Sequence, residues 1–195
     1  INAAVESRIL SAFKKERAVA ASTFPLTTAP FSGDHKAFID EVGDALYISK
    51  ICSYAQGMAL LEAASREYHY DLNLSEIARI WRGGCIIRAR FLNDVSAAYH
   101  EDSKLPNLML SPFFRESLIS KHSAWRHVVK TAIHLNIPIP AMSTSLAYFD
   151  SYRSAHLPAN LIQAQRDYFG AHTYQRIDRE GIFHTEWKRL REDKS

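Results

Sequence analysis

The sequence predicts an all-α protein, and three observations carry that expectation. Apolar residues recur at three- and four-residue steps along several long stretches. The chain has only 7 Gly and 7 Pro, and the prolines fall mostly between those stretches, where they punctuate helices. Strand-type alternation never lasts beyond a few residues, and no segment repeats another.

Taken in order, Val5, Ile9, Phe13 and Arg17 stand four apart and predict one amphipathic helix from Ile1 to Ser22. Pro25, Pro30 and Gly33 then impose a loop. A long helix is expected from His35 to about Tyr68. Phe38, Val42, Ala45 and Leu46 line one face of its first half, and SKICSYAQGMALLEAA is weakly polar nearly all the way round. Asn73 with Glu76 three residues on reads as a capping box. The helix it would open, SEIARIWRGGCIIRARFLNDVSAAY, holds Gly83-Gly84 in its interior. Each glycine there costs about 1 kcal/mol relative to Ala, so close packing against another backbone is expected at that point.

Ser111-Pro112 reads as a cap with Pro at the first helical position. It starts a short helix leading into HSAWRHVVKTAIHLN, where Trp125, Val128, Val129, Ala132 and Ile133 share a face. IPIPAM is a rigid connector. Helices are expected over Met142–Tyr152 and from Pro158 to near Gly170. The tail 171–195 is aromatic but short, with Phe183 and Trp187 four apart.

At 195 residues the chain can bury one substantial core or two small ones. Its 47% hydrophobic and 23% charged residues are ordinary for a folded protein. The net charge of +3 is spread out, which argues against a nucleic-acid surface. The densest basic run, Lys188-Arg189-Leu190-Arg191, is followed at once by Glu192 and Asp193 and reads as a solvated tail. Cys52 and Cys85 sit inside apolar segments, with no disulfide framework and no paired zinc motif, so a reduced cytoplasmic setting is expected. No apolar run approaches the roughly 20 residues of a membrane span, and INAAVESRIL lacks the pattern of a signal peptide.

The chemically richest stretch is LIQAQRDYFGAHTYQR, Leu161 to Arg176. The planar Arg166 guanidinium suits a carboxylate or phosphate. His172, beyond a Gly170 that can end the helix, can turn back toward the same ligand, and Tyr168 and Tyr174 add hydroxyls. Anion or polyol clamp is one reading. A helix C-terminus whose Arg and His suit the helix dipole is the plainer one. No nucleophile–base pair and no metal spacing is evident. His122, His127 and His134 miss the i, i+4 geometry of a helical zinc pair, while His69, His100 and His184 are isolated. Asp40-Glu41 and Glu101-Asp102 diverge on a helix, and no GxGxxG or P-loop pattern occurs.

Four blocks resemble one known family in order and spacing: SKICSYAQGMALL, WRGGCIIRARFL, IPIPAMSTSLAYFDSYR and LPANLIQAQRDYFGAHTYQR, followed by FHTEW at Phe183–Trp187. They are similar to the C-terminal all-helical domain of 6-phosphogluconate dehydrogenase, and the last block is the most specific. The resemblance covers nearly the whole chain and is weakest over 22–34 and 93–122. It implies a homodimer in which NADP-dependent oxidation and decarboxylation turn 6-phosphogluconate into ribulose 5-phosphate. It implies that Arg166 and His172 reach into the other subunit's site to hold the substrate phosphate, with Arg8 contacting that phosphate from the primary subunit. It also implies that Ile1 is an internal position of a longer protein. The cofactor domain, the Lys general base and the Glu general acid would precede it, leaving no catalytic residue in this chain. Residues 1–176 would then be the helical substrate and dimerisation domain and 177–195 its tail. A stand-alone helical interaction module without catalysis is the competing expectation.

Overall fold

Asp34 accepts hydrogen bonds from the amides of Lys36 (2.8 Å) and Ala37 (3.1 Å), and at the far end His69 turns left-handed at φ 55°. Between these two stops, α3 runs unbroken over His35–Tyr68, as its sequence predicts. A computed structural model describes residues 1–26 and 30–187 of the chain. It is helical throughout, apart from one short antiparallel strand pair near the end. The helices are α1 (Asn2–Ser11), α2 (Lys14–Thr23), α3 (His35–Tyr68), α4 (Leu74–Ile80), α5 (Phe91–Glu101), α6 (Pro112–His134), α7 (Pro140–Tyr152) and α8 (Asn160–Gly170). The strands are β1 (Tyr174–Gln175) and β2 (Ile182–Phe183), and the basic run 188–191 lies outside the described residues. Two compact units divide the chain, Ile1–Asp150 and Ser151–Ser195.

In the first unit the core forms where α3 lies along α6, with α4 and α5 paired beside them and a 3₁₀ turn at Leu108–Leu110 wedged in. Ile48, Ile51, Cys52, Ala55 and Met58 of α3 are fully buried against Phe114, Leu118, Trp125 and Val128 of α6. Each large side chain removed from water here contributes about 1.5–3 kcal/mol. Phe91 joins the layers, with its ring 4.9 Å from that of Tyr54 and 5.1 Å from that of Phe114. Ser75 and Ser96 tie α4 to α5 reciprocally, each hydroxyl donating to the other's carbonyl at 2.8 and 3.0 Å. The buried Cys52 thiol lies 3.7 Å from the Met109 sulfur, and burial pushes it up to about 12.

Several expectations are corrected. The first helix is two, because Phe13 leaves helical geometry (φ −81°, ψ 50°) and Arg17 Nη2 donates to the Ser11 carbonyl at 3.2 Å. Neither α1 nor α2 buries a residue, so no packing surface keeps Val5, Ile9 and Phe13 in one line. The expected helix from Ser75 to Tyr99 is also two, separated by turns over 81–90. Gly84 adopts φ +74°, and nothing approaches its missing Cβ within 4 Å. Its glycine therefore serves a left-handed backbone position rather than close packing. Asn73 does cap α4, accepting from the Glu76 amide at 3.1 Å, but the Glu76 carboxylate pairs with Arg79 instead of closing the box.

The two segments expected around Ser111–Asn136 merge into the single α6. Ser111 caps it through backbone alone, since its buried hydroxyl makes no hydrogen bond. Leu46 and Ile133 are exposed rather than buried with the stripes they seem to extend. The prolines place α7 and α8 within two residues of expectation. The strand pair has no sequence signal, because two residues are too few to alternate. Among the described residues no helix is long and apolar enough to cross a membrane.

Candidate functional site

The second unit is organised around one carboxylate. Asp167 sits in the last turn of α8 and is fully buried. Its Oδ1 accepts from the Thr173 amide at 3.1 Å and from His184 Nδ1 at 2.9 Å. Its Oδ2 accepts from the Thr185 amide at 3.0 Å and from Trp187 Nε1 at 2.9 Å. Burial by itself raises this carboxyl. The hydrogen bonds from His184, Thr185 and Trp187, with the His184 charge, outweigh that effect and hold it at about 2. A carboxylate that accepts four donors is satisfied in a way that few buried charges are.

A chain reversal carries the helix into the strand pair. The Ala171 amide donates to the Asp167 carbonyl at 2.9 Å, and Ala171 (φ 49°) and Thr173 (φ 57°) are both left-handed. Tyr174 pairs with Phe183 and Gln175 with Ile182, while the Tyr174 hydroxyl meets Thr185 Oγ1 at 2.7 Å. In the connecting loop Gly181 takes φ 119°, and Arg176 grips Asp178 through two hydrogen bonds of 2.7 and 2.6 Å. That grip holds the Asp178 carboxyl at about 2. A cleft of about 440 Å³ lies between α8 and the strand pair, lined by Asn160, Gln163, Tyr174, Arg176, Thr185 and Trp187.

Neither Arg166 of α8 nor His172 just beyond it lines that cleft. Both are exposed, and among the described residues no hydrogen bond or ion pair engages either side chain. The His172 ring packs over Gly170 so closely that a Cβ there would fall 2.9 Å from its Cδ2. Gly170 in turn stands four residues from Arg166, on the same helix face. The His172 ring thus lies over the residue one helical turn beyond Arg166, and both side chains are exposed. Apolar Ile162 and Phe169 flank Arg166 and stay exposed, Phe169 at 82%. Arg8 belongs to the other unit, on the exposed surface of α1, and it too is unengaged among the described residues.

Sequence reasoning gave Asp167 no role and read His184 as isolated. Their link could not be read locally, because the four donors lie six to twenty residues further on. Tyr174 is corrected as well: its hydroxyl is committed to Thr185 and braces the strand pair. His127 is held by Glu41, and among the described residues no group of three His, Cys, Asp or Glu could hold a metal ion.

The depressed Asp167 carboxyl has a consequence for acid stability. Its folded value of about 2 lies below the ordinary 3.8, so its contribution is present above pH about 4 and is lost as pH falls through about 2. The Trp187 indole N–H resonance is expected to hold its position from neutral pH down to about 4 and to collapse between about 4 and 2. A collapse already complete at pH about 5 would show that the carboxylate does not hold the tail.

The fold defines an all-helical domain that leaves an exposed arginine and histidine at the end of its last helix. More specifically, the profile of the family described as "6-phosphogluconate dehydrogenase, C-terminal domain" matches residues 1–187, and the chain belongs to that family. It is 60% identical over 189 residues to the decarboxylating 6-phosphogluconate dehydrogenase of Synechococcus elongatus, covering 96% of this chain and 40% of that protein. The Escherichia coli enzyme of the same description is 52% identical over 187 residues, again 96% of this chain and 40% of the relative. The solved 6-phosphogluconate dehydrogenase of Plasmodium falciparum superposes with a TM-score of 0.87 at 48% identity, covering 95% of this chain and 40% of that one. That structure is described in its apo form, with its cofactor NADP+ and with its substrate 6-phosphogluconate. The chain thus spans about two fifths of the length of the relatives it matches.

Proposed function

We propose that the protein carrying this chain oxidises 6-phosphogluconate with NADP and decarboxylates the product to ribulose 5-phosphate. In this reading residues 1–176 form the substrate and dimerisation domain of a cytoplasmic homodimer, and 177–195 are its tail. Arg166 and His172 of one subunit hold the substrate phosphate in the other subunit's site, opposite that subunit's Arg8. The observation that carries the reading is the pair of unengaged side chains on an apolar helix face, Arg166 and His172 over Gly170. The names of the relatives and the ligands of the Plasmodium structure supply the substrate and cofactor.

The chemistry asked of these residues is modest and specific. The Arg166 fork donates two parallel hydrogen bonds to phosphate oxygens, and His172 donates a third from its ring. The exposed apolar surface of Leu161, Ile162 and Phe169 suits burial against a second subunit, which would exclude water and strengthen those contacts. NADP, the hydride acceptor, would be held mainly outside this chain, whose seven glycines include no GxGxxG spacing. The dinucleotide is assigned to residues outside it, and no step is derived through it.

The test is made on the full-length gene product. A dimer by light scattering that forms NADPH and carbon dioxide from 6-phosphogluconate supports the proposal. A folded dimer that forms neither supports a helical dimerisation module without catalysis.

A further inference from the structure

Among the described residues Asp167 is the only charged residue that is fully buried, and the clamp as proposed gives it no task. Its four donors come from Thr173, His184, Thr185 and Trp187, so one carboxylate closes both the reversal after α8 and the strand pair beyond it. The reversal needs such a fastening. Ala171 and Thr173 are left-handed without being glycine, a geometry that persists only where its surroundings enforce it. His172 lies between them. Its carbonyl accepts from the Thr173 hydroxyl at 2.7 Å, and its ring rests over Gly170.

We infer that Asp167 is the positioning residue for His172: by holding Thr173 it fixes the 171–173 reversal so that the imidazole stands over Gly170, on the Arg166 side of the helix. This rests on the clamp reading above and adds to it the group that sets the clamp's geometry. Asp167 never touches the ligand. It points into the unit while Arg166, one residue earlier, faces out, since neighbours on a helix diverge by about 100°. Only a carboxylate serves here. An amide offers one acceptor oxygen, and its NH₂ would face either Thr173 and His184 or Thr185 and Trp187, of which the two backbone amides and the indole can only donate. Turned toward Thr185 and Trp187, the NH₂ would lose both hydrogen bonds; turned toward Thr173 and His184, it would lose the Thr173 bond that holds the reversal, even if the imidazole switched tautomer to accept.

The experiment compares wild type, Asp167→Asn, His172→Ala and the double variant in the full-length protein, by steady-state kinetics with 6-phosphogluconate. The expected result is a rise in KM of about tenfold or more for Asp167→Asn, close to that of His172→Ala, with kcat changed by less than about threefold. The double variant should be no worse than His172→Ala, because the two act as one unit. If His172→Ala raises KM while Asp167→Asn does not, or if the two effects multiply, the inference is overturned and the clamp reading survives. If His172→Ala leaves KM unchanged, both fall. Should the amide variant not fold, His184→Phe removes one donor to the oxygen that also holds Thr173. A KM rise that vanishes in the His172→Ala background then supports the inference, and an unchanged KM overturns it.

Discussion

Arg166→Ala is expected to raise the KM for 6-phosphogluconate by roughly ten- to a hundredfold, the equivalent of one lost charged hydrogen-bonded contact at about 1.5–3 kcal/mol. Turnover should fall much less. The phosphate is remote from the carbon that is oxidised, so the contact binds ground state and transition state about equally, and removing uniform binding appears in KM. Arg166→Lys separates charge from shape: it keeps the cation but loses the planar fork, and should fall between the two. The native guanidinium is free of partners among the described residues, so the substitution breaks no internal bond there. The thermal midpoint should therefore stay near that of wild type. Steady-state kinetics on the full-length protein decides the matter, and a wild-type KM in Arg166→Ala would remove this residue from the site.

The second large effect concerns the core. Among the described residues Trp125 is the bulkiest fully buried side chain, its ring 6.1 Å from that of Phe149 and tilted by 31°, amid the residues that join α3 to α6. Trp125→Ala should cost about 3–5 kcal/mol, since the lost transfer free energy adds to a cavity that close-packed helices cannot collapse. The thermal midpoint should drop by roughly ten degrees, at about 2–4 °C per kcal/mol for a chain of this size. Trp125→Phe should cost much less than its lost volume suggests. The indole N–H is buried without a partner, so replacing it removes an unsatisfied donor together with the larger ring. Urea or thermal unfolding of the two variants checks both figures. Equal losses in the two would mean that the indole nitrogen is not a liability in the native state.

Particular elements show which parts of the architecture were legible in advance. The bounds of α3 come from a loop that ends at Asp34 and a polar stretch that begins after Tyr68, both local. Pro112, Pro140 and Pro158 mark helix beginnings because a missing amide and a fixed φ act on the residues beside them. The breaks at Phe13 and Gly84 were not legible. A helical period continues across both, and only the absence of a packing surface in one case and a left-handed residue in the other interrupts it. Leu46 and Ile133 continue apolar stripes but remain exposed, because a stripe states which face is apolar and not how far the neighbouring helix extends.

The candidate site divides along the same line. Arg166, Gly170 and His172 fall within seven consecutive residues around a helix end, so their chemistry and rough proximity follow from spacing alone. The fold class follows likewise, since helical period and proline placement act over a few residues. Tertiary structure assigned Asp167 its task, moved Tyr174 from ligand to brace, and paired His184 with a carboxylate seventeen positions earlier. Each of these is a hydrogen bond between groups brought together by a chain reversal. No local period or propensity encodes which donors will meet once the chain turns back.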